Sequence, residues 1–229
     1  MKLFASAGLL AALLAAQVPL PARAGGVPVS YKVADTSPSK DVSIQSVTLD
    51  AVAGMSPTAL VKVNAALKSA TAQFADEAKR CGGAAVKGRP WGYIRKFEKA
   101  VLSGKYLSVV FIKSTVCADS PDAEKDARVF SLKSGEPVPA HALFKHMLPT
   151  ANIATAYLTN KDRVRLDEAT AETLIDDSKV VLKIDDRRCD FYLKTTSYTI
   201  WADGKHLIFH PEFNQPFSFC QQEYLIVPE

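Results

Sequence analysis

Tyr106-Leu-Ser-Val-Val-Phe-Ile112 is the stretch on which the fold turns. Apart from Ser108 it is apolar without a break, and Val109, Val110 and Ile112 are β-branched. A strand with one wet side alternates polar and apolar residues, so an unbroken apolar run of strand length belongs in the middle of a sheet, covered on both faces. The preceding segment supplies a partner. Tyr93-Ile-Arg-Lys-Phe-Glu-Lys-Ala-Val-Leu102 forms the first arm of a hairpin that turns at Ser103-Gly104.

Working upstream, Val42, Ile44, Val47 and Thr48 mark a strand from Val42 to Val52, ended by Gly54. A long helix follows. Ser56 is placed to cap it and Pro57 suits its first position, while Leu60, Val63, Leu67, Ala70, Phe74 and Ala78 recur at three and four and demand a buried face. Gly82, just after Cys81, is expected to end it. Residues 25–41, with Pro28, Ser37, Pro38 and Ser39, are expected to form an extended leader that runs into the first strand.

Downstream, the charges Asp119, Asp122, Glu124, Lys125 and Asp126 indicate a polar loop before a short strand from Arg128 to Leu132 and a turn at Ser134-Gly135. Helices are expected around His141–Leu148, Asn152–Leu158 and Asp167–Ile175. Strands are expected at Val180–Ile184, Asp190–Lys194, Tyr198–Ala202, His206–His210 and Tyr224–Val227, with Asp203-Gly204 as the strongest hairpin signal. Helices and strands are segregated, without strict alternation. That order specifies an α+β fold, an antiparallel sheet backed by a long helix near the N-terminus and by shorter helices. The globular unit is expected over 42–229, as two intimate lobes of about 42–118 and 119–229.

Composition narrows the function. A formal charge of only +4 lacks the basic excess that grips a phosphate backbone, so nucleic acid is not an expected partner. Residues 1–24 read as a cleaved secretory signal: Lys2, an uncharged run from Phe4 to Val18, and small residues at Ala22 and Ala24. The run is short of the roughly 20 apolar residues of a membrane span. Cleavage would remove Lys2 and Arg23, and no anchor is expected in the product. Cys81, Cys117, Cys189 and Cys220 are even in number and widely spaced, unlike zinc ligands in close Cys-x-x-Cys couples. Disulfides pairing Cys81 with Cys117 and Cys189 with Cys220 are expected in an exported chain, because each pair brackets a local segment.

The order of Val61-Lys-Val-Asn64-Ala-Ala-Leu67, the hairpin Ala100–Val109, and Val129-Phe-Ser-Leu-Lys-Ser-Gly135-Glu-Pro-Val-Pro-Ala-His-Ala-Leu-Phe144 resembles the RsiV-like ectodomain family of bacterial envelope proteins. The tail His206-Leu-Ile-Phe-His-Pro211 with Tyr224-Leu-Ile-Val-Pro228 is similar too. The resemblance implies an extracytoplasmic fold with a helix-bearing N-terminal part and a C-terminal sheet part. Family members include sensor ectodomains, some of which bind lysozyme, and non-catalytic modules beside cell-wall deacetylases. The family's Gly-Gly-Ala-His stretch has no counterpart in Cys117–Arg128, so no role for that histidine carries over.

Few residues announce chemistry. Trp201, His206, His210 and Glu212 make up the candidate ligand surface, and the two histidines share a strand face. A metal would need a third converging ligand, and no cofactor motif occurs. Asp176-Asp177, Asp185-Asp186 and Asp190 lack the alternation of a calcium loop and lie among Lys179, Lys183, Arg187 and Arg188 as a mixed solvated face. For Trp91, Tyr93, Tyr198 and Trp201 the expected use is core filling. No nucleophile sits in a Gly-x-Ser-x-Gly elbow. The expectation is a secreted or periplasmic binding or accessory protein without catalysis, its partner an envelope protein or glycan. The alternative is a cell-wall hydrolase or deacetylase using His206, His210 and Glu212.

Overall fold

The computed structural model describes residues 28–118, 120–157, 161–212 and 217–227. The expected signal, residues 1–24, lies outside them. The described residues form an α+β fold of eight strands and four helices. Strands β1 (Val29–Ser39), β2 (Val42–Val52), β3 (Gly92–Ser103), β4 (Tyr106–Cys117) and β5 (Ser120–Ser131) make one sheet in that spatial order. Strands β6 (Tyr198–Asp203), β7 (His206–Pro211) and β8 (Tyr224–Ile226) make a second, antiparallel sheet.

Strand β4 is where the two halves meet. Every residue from Tyr106 to Phe111 is buried. Leu107, Val109 and Phe111 share a core with helix α1 (Pro57–Gly83), whose buried stripe Val63, Leu67, Ala70, Phe74, Ala78 and Cys81 follows the helical period. Tyr106 and Val110 belong instead to a second core with β6, β7, β8 and the helices α2 (Ala140–Met147), α3 (Glu168–Leu182) and α4 (Arg187–Thr195). Between them Ser108 is fully buried, and its hydroxyl donates to the Ala202 carbonyl at 2.9 Å. A lone hydroxyl in an apolar run is tolerated there because it has an acceptor.

The larger sheet is mixed, which corrects the expectation of an antiparallel one. Helix α1 carries the chain from the end of β2 back to the start of β3, so these strands run parallel, paired only from Val42↔Tyr93 to Ile44↔Arg95. Past Ile44 they diverge. Gln45 accepts from the Phe97 N–H at 3.0 Å, and Asn64 of α1 takes both main-chain groups of Leu49. At the start of α1 Ser56 accepts from the Ala59 N–H at 3.2 Å; the helix runs one turn-residue further than expected, through Gly83.

Other boundaries also move. Residues 29–39 of the expected leader are edge strand β1, paired along β2, and β5 beyond residue 119 belongs to the first sheet, so that sheet crosses the expected lobe boundary. The charged segment expected as a loop is the first half of β5, where Lys113 and Glu124 stand directly opposite and pair. Val180–Ile184 and Asp190–Lys194 are not strands. Val180 and Val181 continue the last turns of α3 with their side chains exposed, and Asp186 caps α4, whose buried residues Cys189 and Leu193 are four apart. Asn152–Leu158 holds only a short 3-10 turn at Thr155–Tyr157 among its described residues. Both disulfides pair locally: Cys81–Cys117 ties the end of α1 to the end of β4, and Cys189–Cys220 ties α4 to the turn before β8.

Candidate functional site

Of the residues expected as a ligand surface, Trp201 and His210 lie apart from open solvent. Trp201 is fully buried, and His210 is 4% exposed. Both belong to strands of the second sheet, where β6 crosses the face of the first, so the surface reading of these two is corrected: the apposed sheets cover them. Lys99 and Lys125 lie over the Trp201 ring at 5.4 and 5.9 Å. Burial, then the nearby charge of Lys125, pushes His210 down to about 4, so it is neutral at ordinary pH. Glu212 is held by Arg163 and by the Ser197 hydroxyl at 2.8 Å; burial raises its pKa against the pull of Arg163. His206 pairs with Asp203 in the β6–β7 register and is half-buried. Tyr93 and Tyr198 fill the core as expected.

Lys125 is the centre of a charge network between the sheets. It reaches Glu98 at 2.7 Å and Glu223 at 2.6 Å, while Lys99 reaches Glu223 and Asp203. Burial opposes the charge on Lys125, but the bonds to Glu223 and Glu98 outweigh it and hold the pKa above the usual lysine value. These ion pairs bind the two sheets together, and Glu98 Oε2 is left buried without a partner. The acidic residues expected on a solvated face turn out to include caps and ties: Asp186 accepts from the Arg188 N–H, and Asp177 from the Val227 N–H at 2.8 Å.

Among the described residues a concave feature lies at the free edge of β5. It is a cleft of about 870 Å³, with α1 forming one wall and the segment 161–163 with β6 forming the other. Alternate residues of β5 face opposite walls. Glu124, Asp126, Arg128 and Phe130 are on the α1 side, with Ser69, Gln73 and Glu77 of the helix. Both helix serine and glutamine are exposed.

Arg95 of β3 lies in this wall and is 2% exposed. It is in phase with Tyr93 and Phe97, so the pleat turns it toward α1, where its guanidinium sits 4.0 Å from the Phe74 ring centroid. Its Nη2 donates to Asp126 Oδ2 at 2.7 Å, and Arg128 Nη2 donates to the same oxygen at 3.0 Å. Arg95 Nε and Nη1 and Arg128 Nε are buried without an acceptor. Two guanidiniums thus share one carboxylate oxygen. Glu77, the acid of the helix that lines the cleft, accepts from the Tyr93 hydroxyl at 2.7 Å.

The strand edge itself is part of the site. Val129 and Ser131 are engaged by the return segment, through Val138 N–H to Val129 O at 2.8 Å and Ser131 N–H to Glu136 O at 3.0 Å. At the other end the Gln221 side chain donates to Ala123 O at 2.7 Å. A strand residue presents its N–H and C=O to one side, alternating along the chain, so Lys125 and Ala127 turn theirs into the cleft between these two blocked ends. Among the described residues none bonds to them.

Sequence reasoning missed this site because its parts are distant in the chain and meet only in the fold. One signal was available: Arg95 is a cation in phase with two aromatics on a strand whose face must be buried. Among the described residues no three His, Cys, Asp or Glu side chains converge as a metal site requires, and no helix is long and apolar enough to cross a membrane. The chain matches no protein-family model and no curated protein.

Proposed function

We propose that this chain is an exported, non-catalytic binding or accessory protein of the bacterial envelope, which holds its partner, a protein or a cell-wall glycan, in the cleft at β5. The observation that carries this reading is the cleft itself: about 870 Å³, open along a strand edge, with a buried and a partly exposed arginine that are short of acceptors. Two disulfides belong with an oxidising, non-cytoplasmic compartment. The resemblance to RsiV-like ectodomains points to the same place and to a binding role. A hydrolase or deacetylase centred on His210 finds less support, since that ring is covered and Glu212 is occupied by Arg163 and Ser197.

Crosslinking of the purified chain to an envelope fraction, followed by capture, tests the reading when the wild type is compared with the cleft-blocking pair Ser69→Trp and Gln73→Trp. The expected result is one wild-type adduct that disappears in the blocked variant at unchanged thermal stability. An adduct indifferent to the block overturns the placement. Release of acetate or muropeptides from peptidoglycan, abolished in His210→Ala, would establish the hydrolytic alternative.

A further inference from the structure

We infer, resting on the reading of the β5 cleft as a binding site, that its occupant is an extended, acidic peptide segment of a partner protein, which adds to β5 as a sixth strand. The shape of the site supports this first. The cleft follows a strand edge, and its walls stand on the two faces of the sheet, so an occupant lying in it continues the sheet plane. Lys125 and Ala127 offer two N–H and two C=O groups in the spacing an added strand requires. The free stretch from Glu124 to Arg128, blocked by Gln221 on one side and by the return segment at Val138 on the other, matches a peptide of about five residues at roughly 3.3 Å each.

The charges then select the peptide. On the α1 side an inserted side chain meets the partly exposed Arg128, with Arg95 buried behind it; the two share one oxygen of Asp126 and leave three buried nitrogens without acceptors. A buried donor without an acceptor is costly, and more so on a cation. A carboxylate beside Asp126 gives the exposed part of Arg128 a second acceptor and balances the extra positive charge of the two guanidiniums; a basic side chain would add to it. Alternate side chains of the same peptide face the other wall, where the partly exposed Val138 and Pro139 provide apolar surface. A glycan fits less well. Phe130 is the aromatic among the lining residues, and at 2% exposure it offers no ring face for a sugar.

The test uses the full chain with both disulfides intact and a set of synthetic heptapeptides of β-forming sequence carrying Glu, Gln or Lys at the central position. Isothermal titration measures affinity and amide hydrogen exchange locates the contact. The expected result is at least about tenfold tighter binding of the Glu peptides than of their Gln counterparts, no binding of the Lys peptides, and slowed exchange at Lys125 and Ala127. N-methylation of alternate peptide amides abolishes binding, a readout that does not depend on any protein variant folding. Arg128→Gln removes the preference for Glu over Gln. If Glu peptides bind but N-methylation leaves the affinity unchanged, strand addition is wrong. If no peptide binds while soluble peptidoglycan fragments slow exchange in the cleft, the peptide inference falls and the binding-module reading stands. If neither class of probe binds, both fall.

Discussion

The side-chain amide of Asn64 makes both of its hydrogen bonds to one residue, accepting from the Leu49 N–H and donating to the Leu49 C=O, each at 2.9 Å. The helix side chain substitutes for a strand. β2 leaves β3 after Ile44, and Asn64 satisfies main-chain groups that a parallel neighbour would otherwise have paired. Replacing Asn64 by Ala leaves two groups of a buried residue without partners and is expected to cost about 2 to 3 kcal/mol, seen as a lower urea midpoint at unchanged slope. Asn64→Asp keeps the acceptor and sets a carboxylate against the Leu49 carbonyl, so it recovers little of that loss.

Two glycines with similar backbone angles should respond differently to alanine. Gly135 has φ +71°, and a Cβ there would stand 2.2 Å from the Ala59 carbonyl oxygen; Gly204 has φ +62° with nothing within 4 Å. Gly204→Ala carries only the conformational cost, about 1 kcal/mol. Gly135→Ala must also push the turn after β5 away from the start of α1, and about 3 kcal/mol or more is expected. Chemical denaturation of the two variants side by side checks the difference.

Each disulfide closes a loop of similar size, with sequence separations of 36 and 31. On the chain-entropy account each contributes roughly 3 to 4 kcal/mol by restricting the unfolded chain. Paired Cys→Ser variants of either bridge should therefore lower the melting temperature by comparable amounts. Mass mapping of unreduced peptides should show Cys81 with Cys117 and Cys189 with Cys220, and no cross-pairing.

His210 makes stability fall in mild acid. Its folded value of about 4 lies below the ordinary 6.5, so between these limits the unfolded chain takes up a proton that the folded chain refuses. Stability from this group is complete above pH 6.5 and is lost as the pH drops toward 4, by about 3 kcal/mol in all. Lys125, Glu223 and Glu124 are the charges that act on it. In His210→Gln this part of the pH dependence disappears: the variant gains on the wild type by about that amount between pH 7 and pH 4, measured by urea titration.

The first half of the fold was largely legible in the sequence. The run Tyr106–Phe111 announced a strand with two covers, the Ser56-Pro57 start and three-four spacing announced α1, and β2 lies at the expected Val42–Val52. What failed did so for identifiable reasons. Val180 and Val181 favour strands by their branching, but they sit at the solvent side of a helix already under way from its Asp167 cap, and context outweighs that preference. The charges of β5 read as a loop because their partners, Lys113 and Arg95, come from other strands and cannot be seen locally. The cleft was invisible for the same reason: α1, β5 and 161–163 are remote in the chain. Trp201 and His210 looked like a surface because alternation tells which residues share a face, not which face another sheet will cover.

The pairing of first cysteine with second and third with fourth has a consequence for biogenesis. A chain that meets an oxidant from its N-terminus onward, as one emerging from a pore does, joins Cys81 to Cys117 before Cys189 is available, and then has only the correct thiols left. Each oxidation step proceeds by exchange with whichever thiolate is within reach, so order of appearance alone yields the native pattern. For a chain that meets the oxidant in that order, a catalyst that inserts disulfides would suffice without one that reshuffles them.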